Sequence, residues 1–244
     1  MEVHHHPEIE KKGFKEYLLE GLMIFLAVTM GFFAETIREG ISDSAKGKEY
    51  IRLYAQDLRA DTAAISKLAA FDEKKMAALD GQFSCFDSIS NNPGSAACLV
   101  PLVKYSSFNN RLHFSDGTLL QLKNAGGFRL LNGADRDSIV AYDHITEILQ
   151  DYESTAFQQQ QDNIRNTFNL IGNYKAAVMI LPDSGKMDVT EPILFTRDKA
   201  LLNRYFNDLF SYRRAVKGHL VQIKRIKRKA TGIIKYFEHK YDLE

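Results

Sequence analysis

The sequence predicts an all-α protein, with an N-terminal transmembrane helix followed by an elongated antiparallel bundle of three long helices plus a short helix. Three observations carry this expectation. An uncharged, strongly apolar run from Gly21 to Ala34 stands near the start. Two later stretches carry apolar residues at alternating steps of three and four, the spacing of a helical seam. Proline is scarce, 5 in 244 residues, so little interrupts long helices.

The chain divides into a polar tail (1–16), an anchor (17–39) and a helical domain (40–244). The tail holds His4, His5 and His6. Three adjacent histidines can chelate a divalent ion, but a flexible tail lacks the fixed geometry and outer hydrogen bonds of a working metal site, so no metal is expected. Tyr17 to Ala34 covers roughly 27 Å as a helix, against a hydrocarbon core of about 30 Å. That span includes Glu20, one turn inside the N-terminal edge, where a carboxylate reaches the headgroups and faces the positive end of the helix dipole. A cleaved leader would need a small residue where Phe32 stands. A buried soluble helix would show one polar face, whereas Leu22, Met23, Ile24, Phe25, Leu26 and Val28 cover the whole circumference. Ala27 and Gly31 form a small-xxx-small pair that could seat a second copy of the helix.

After the anchor, Gly40 with Ile41, Ser42 and Asp43 is expected to form a joint and an N-cap. A helix over 44–89 then follows, with its seam at Ile51, Ala55, Leu58, Thr62, Ile65, Ala69, Asp72, Met76, Leu79, Phe83 and Phe86. Ser90 to Ser115 reads as irregular, with Leu99, Val100, Leu102 and Val103 as a patch laid against the bundle. Cys85 and Cys98 bracket its turn-rich start. They read either as a disulfide, contributing about 3 kcal/mol in an oxidising compartment, or as two small unpaired apolar residues. Without further Cys or His nearby they do not resemble a zinc site.

A short helix over 116–125 is expected behind a Ser115 cap, stopping at Gly126 and Gly127. The glycine pair has neither the preceding strand nor the GK[ST] of a phosphate loop. Past an Asn132-Gly133 turn, with Asp135 as cap, a second long helix runs to Ile171. Its inward residues are Ile139, Tyr142, Ile145, Leu149, Tyr152, Ala156, Ile164, Phe168 and Ile171, and Gln158 to Gln161 are expected in water. Gly172 to Thr196 is a second irregular stretch, docked by Ile193, Leu194 and Phe195. The last helix, over 197–240, has the cleanest seam: Leu202, Tyr205, Leu209, Tyr212, Val216, His219, Ile223, Ile226, Ala230, Ile233 and Phe237.

One residue breaks the apolar character of each terminal seam, Asp72 in one and His219 in the other. In an antiparallel arrangement they fall at similar heights, so they are read as a possible buried polar pair, a register pin or pH-sensitive contact. The alternative has each at the seam edge, meeting water. Lys224, Arg225, Lys227, Arg228 and Lys229 form a basic face, either plain solvated surface or a contact for an acidic partner or anionic lipid. The net charge of +1 argues against a general polyanion binder, and no nucleic-acid partner is expected.

The residues HHHPEIEKKGFKEYLLEGLMIFLAVTMGFFAE, with FSDGTLLQLKNAGGFRLL further on, resemble an uncharacterised family of small bacterial proteins with one N-terminal transmembrane helix and a helical domain. The resemblance is close over the first 40 residues and looser around 114–131. It implies a genuine anchor and a native His-rich start, and it brings no activity and no catalytic residues.

No catalytic constellation, cofactor loop or metal spacing is visible. The expectation is a single-pass, non-enzymatic membrane protein without cofactor. It would sense, bind a ligand or partner, or scaffold a complex, with the bilayer and a protein partner or second copy as its contacts. The alternative is an accessory subunit of an ion-driven membrane machine that uses Glu20 as a titratable intramembrane acid. Lysines before the anchor and basic residues after it balance. The short basic tail and the possible disulfide favour a bacterial inner membrane, with the C-terminal domain in the periplasm.

Overall fold

The computed structural model describes residues 13–91, 98–100, 105, 109–176 and 192–243. The histidines of the tail, Leu102 and Val103 lie outside the described residues. Among the described residues the chain is all-α. There is no strand, only an isolated antiparallel bridge between Gly172 and Leu194.

Among the described residues six α-helices follow in order: α1 (Phe14–Phe83), α2 (Phe86–Asn91), α3 (Gly117–Asn124), α4 (Gly133–Tyr152), α5 (Gln158–Ile171) and α6 (Lys199–Tyr241). A 3₁₀ turn (Gly127–Leu130) follows α3, and a π-helical turn (Glu153–Phe157) joins α4 to α5. The contacts divide the chain into two units, Met1–Glu49 and Tyr50–Glu244.

The first unit is the N-terminal part of α1. Its best 18-residue window has a mean hydropathy of 1.9, and none of that window is buried. By length and composition it is a helix that can cross a membrane. The joint expected at Gly40 to Asp43 is absent, because α1 runs 70 residues without a break. A glycine in a helix interior costs only about 1 kcal/mol relative to alanine, and no proline intervenes to force a stop.

The second unit holds the core. α1 ends six residues earlier than the sequence suggests, at a turn over Ser84 and Cys85, before α2. There the Ser84 hydroxyl donates to the Gly81 carbonyl at 2.6 Å, a local bond that competes with continued helix. Cys85 is joined to Cys98, with Cα atoms 6.3 Å apart.

From Tyr54 to Phe83 along α1, the contacts with α6 move back from the region of Phe237 to Phe206. The Tyr54 and Phe237 rings lie 6.5 Å apart, Arg59 meets Glu238 at 2.7 Å, Asp72 meets His219 at 2.6 Å, and the Phe83 and Phe206 rings lie 6.5 Å apart. α4 and α5 pair with α6 in the same opposed sense. Asp135 meets Lys240 at 2.7 Å, the Tyr152 hydroxyl donates to the Ala215 carbonyl at 3.1 Å, and the Phe168 ring lies 6.1 Å from that of Tyr205. All eleven residues of the seam read for the last helix are buried, with Phe206 and Ile234 widening the stripe.

Three local expectations need correction. The α4 cap is Asn132, whose side chain accepts from the Asp135 N–H at 3.0 Å. Asp135 itself is buried and holds the far end of α6. Ser115 does not cap α3: the N-cap position is Asp116, which makes no side-chain capping bond, and the Ser115 N–H donates to Asp61 at 2.8 Å. Phe195 does not dock; Ile193 and Leu194 are buried, while Phe195 points to solvent. The bridge explains this, since its main-chain bonds from Asn173 to Ile193 and from Phe195 to Ile171 fix which faces turn inward.

Candidate functional site

The buried apolar side chains form two clusters. One gathers Leu79, Phe157, Ile164, Leu209, Tyr212 and Val216, and the other Ile51, Leu58, Ile65, Leu149, Ile223 and Phe237. On α1, on the α4–π–α5 rod and on α6, the changeover between clusters falls at a polar residue: Asp72, Glu153 and His219 respectively. All three are buried.

His219 sits two turns past Tyr212 on the same face of α6, the period that keeps both in the core. Its Nδ1 lies 2.6 Å from Asp72 Oδ2, and its Nε2 lies 2.8 Å from Glu153 Oε1. Burial pushes the imidazole pKa down, but the bonds to Asp72 and Glu153 and the charges behind them outweigh it, raising it to about 9. At neutral pH the ring is therefore an imidazolium that donates from both nitrogens. Phe157 stacks on it, with ring centroids 4.8 Å apart and planes within 10°. The edge position in water, the alternative reading for Asp72 and His219, is not what the chain adopts.

The π-helical turn makes the third contact. A regular helix through this region keeps Tyr152 and Ala156 inward, as the sequence pattern suggests. The extra residue in the wider turn shifts the phase, so that Glu153 and Phe157 are buried and Ala156 is exposed. Gln161, one turn beyond Phe157, is buried too, which corrects the expectation that Gln158 to Gln161 lie in water. Glu153 also accepts from the Leu112 N–H at 3.3 Å, which ties the connecting segment to the rod.

A second cation completes the cluster. Lys75, three residues after Asp72 and fully buried, donates to Asn109 Oδ1 at 3.0 Å and to the Tyr212 hydroxyl at 3.1 Å. Its ammonium lies 5.0 Å from the centroid of the Phe71 ring and 5.6 Å from that of Tyr212. Tyr212 donates to Asn109 at 3.0 Å, and Asn109 donates to Gln161 at 2.5 Å. Burial lowers the Lys75 pKa to about 8, with the Asp72 charge pulling the other way. Two carboxylates thus face two cations, a charge-balanced arrangement inside a low-dielectric core.

Such a cluster can fix helix register and take up or release protons. Both imidazole nitrogens are engaged by carboxylates, so neither offers a lone pair to a metal, and among the described residues no His, Cys, Asp and Glu group is placed to hold one. Comparison of the chain with protein-family models, curated proteins and solved structures finds no match.

The other residues singled out from the sequence lie apart from this cluster. Glu20 is on the exposed surface of α1. Lys224, Arg225, Arg228 and Lys229 are exposed and Lys227 half-buried, and Lys224 pairs with Glu73 at 2.6 Å. Lys75, Glu153, Asn109, Gln161 and Tyr212 were missed as polar partners. Lys75 carried a usable signal, standing one helical turn from Asp72. Glu153 carried none, because its inward position depends on the π-helical turn.

Proposed function

We propose that this chain is a single-pass, membrane-anchored helical protein without enzymatic activity. Its anchor crosses a bacterial inner membrane, and its periplasmic domain, an elongated antiparallel bundle of three long helices and a short one, senses, binds a ligand or protein partner, or scaffolds a membrane complex. The observation that carries this is the exposed apolar surface around α1 between Leu18 and Phe33. A continuous surface of that kind is costly in water and favourable in lipid. The opposed pairing of α1 and α4–α5 with α6 supports the bundle. The burial of the Asp72–His219–Glu153 cluster supports a structural or proton-sensing role over a catalytic one, since a substrate has no approach to buried groups that already bond one another.

Phase separation in a nonionic detergent tests the anchor. The full chain partitions into the detergent phase, and recovery in the aqueous phase overturns the reading. Protease added to intact spheroplasts tests orientation, with digestion of the C-terminal domain expected. The second reading, an ion-driven machine using Glu20, rests on the exposed position of that acid within the apolar helix. Glu20→Gln separates the two: unchanged membrane energetics with intact insertion leave only the first.

A further inference from the structure

A groove of about 210 Å³ lies between α4 and α6, lined by Ile145, Ile148, Leu149 and Tyr152 on one side and by Gly218 and Gln222 on the other. Ile148 is 56% exposed, and Val221, beside Gln222 on α6, is 57% exposed. Apolar side chains placed in this way gain free energy when another surface covers them.

Gly218 and Gly232 stand two heptads apart on α6, so they share one face of it. Glycine lowers helix stability relative to alanine, and packing within the chain does not require it at either position. A Cβ at Gly232 meets no atom within 4 Å, and one at Gly218 meets only the Tyr152 hydroxyl at 3.7 Å, an ordinary contact. The main chain is therefore open to close approach from outside. The charges beside the groove separate by helix. Between Asp208 and Glu238, α6 carries no acidic residue, and Arg214, Arg225 and Lys229 are exposed along it. α4 exposes Asp137, Glu147 and Asp151 against Arg136.

We propose that this face is the interface of a homodimer, in which a two-fold axis parallel to the helices sets α4 of each copy on α6 of the other. That rotation lays the acidic helix over the basic one twice, whereas an axis across the helices sets acid on acid and base on base. It also keeps every residue at its own level. The Tyr152 hydroxyl donates to the Ala215 carbonyl at 3.1 Å, so Asp151 and Arg214, each one residue before, lie level, and Asp151 of one copy faces Arg214 of the other. Ile148 of one copy covers Gly218 of the other, since both line the groove. An anionic lipid surface fits less well, because it meets the α4 carboxylates together with the α6 cations. α4 has 20 residues and is about 30 Å long, and two packed helices are about 20 Å wide, so about 1,200 Å² is buried over both copies. That area stands at the lower end for specific interfaces and suits a reversible dimer. The inference supplies a partner for the bundle of the proposed function and rests on the second unit alone. Detergent partitioning reports on the anchor and self-association on this face, so either reading can fail without the other.

Sedimentation velocity of the full chain in density-matched detergent micelles, from about 1 to 100 µM, reads the association. A monomer–dimer equilibrium is expected. Asp151→Arg and Arg214→Asp each weaken it about tenfold, and the variant carrying both returns it to within about threefold of the wild type. Gly218→Leu fills the groove from an exposed helical position, so the chain stays folded by circular dichroism while the dimer weakens about tenfold. Lys67→Ala, on exposed α1 surface, leaves the equilibrium unchanged. A chain that stays monomeric to about 100 µM, a dimer indifferent to Gly218→Leu and the charge reversals, or a double reversal no better than either single one overturns the proposal. Monomers that bind polyglutamate through Arg214 assign the face to an acidic partner and overturn it as well.

Discussion

The charge cluster predicts a stability profile with a minimum in mildly alkaline solution. For His219 the folded pKa is about 9, against an ordinary value of 6.5. A raised folded pKa gives stability that is complete below 6.5 and lost as pH climbs to about 9, in total about 3 kcal/mol. Lys75 acts with the opposite sign. Its folded pKa is about 8, against 10.5 unfolded, so burial of its charge costs stability below 8 and that cost is relieved between 8 and 10.5. From pH 6.5 to 8 only the His219 contribution changes, and stability falls by about 2 kcal/mol. Between 8 and 9 the two cancel. Above 9 stability recovers by about 2 kcal/mol as Lys75 alone remains in transit. Urea unfolding of the full chain in detergent, followed by circular dichroism at half-unit steps of pH, reads this profile. Lys75→Met removes the alkaline recovery, and His219→Gln removes the fall. His219→Gln also strands two buried carboxylates at a cost of about 3–5 kcal/mol, so the wild-type imidazole carbon shifts provide an independent readout, with a midpoint near 9. A flat wild-type profile between 6.5 and 8, or a His219 midpoint near 6.5, refutes the reasoning.

Other perturbations test separate parts of the fold. Asp135→Ala removes the acceptor shared by Tyr236, Lys240 and Tyr241, and unfolding midpoints report a loss of about 1–3 kcal/mol. Reducing the Cys85–Cys98 bond in the oxidised protein lowers stability by up to about 3 kcal/mol, read from urea curves with and without a phosphine reductant. Phe157→Ala removes the ring stacked on His219 and costs about 3–5 kcal/mol, whereas Ala156→Ser, on the exposed side of the same turn, changes stability by less than about 0.5 kcal/mol. Replacing both Leu22 and Leu26 by Arg adds about 5 kcal/mol to the cost of insertion and moves the chain to the aqueous phase.

The seam of the last helix was legible because period alone decides it, whereas on α1 the buried stripe takes in Asp61, Leu68, Lys75 and Gln82 in place of Thr62, Ala69, Met76 and Phe83, which are only half-buried. The eleven positions read on the last helix are all buried, since a helix with one apolar stripe has only one way to turn it inward. Asp72 and His219 were legible for the related reason that a polar residue in an apolar seam needs a partner, and the opposed order of the seams leaves few candidates. Glu153 was not legible. Its burial depends on one added residue in the turn before α5, which brings its carboxylate to His219 and the Leu112 N–H, groups distant in the chain.

By itself, the sequence determined that the chain is helical, which face of the last helix is apolar, and that the first stretch is apolar all round. These follow from the spacing and size of neighbouring side chains, which are local properties. Tertiary structure alone decided that Glu153 and Gln161 turn inward, and that the Tyr54 hydroxyl meets no hydrogen-bond partner among the described residues. Each of those outcomes depends on groups far away in the chain, and a hydrogen bond or a burial energy exists only once both sides have been brought together.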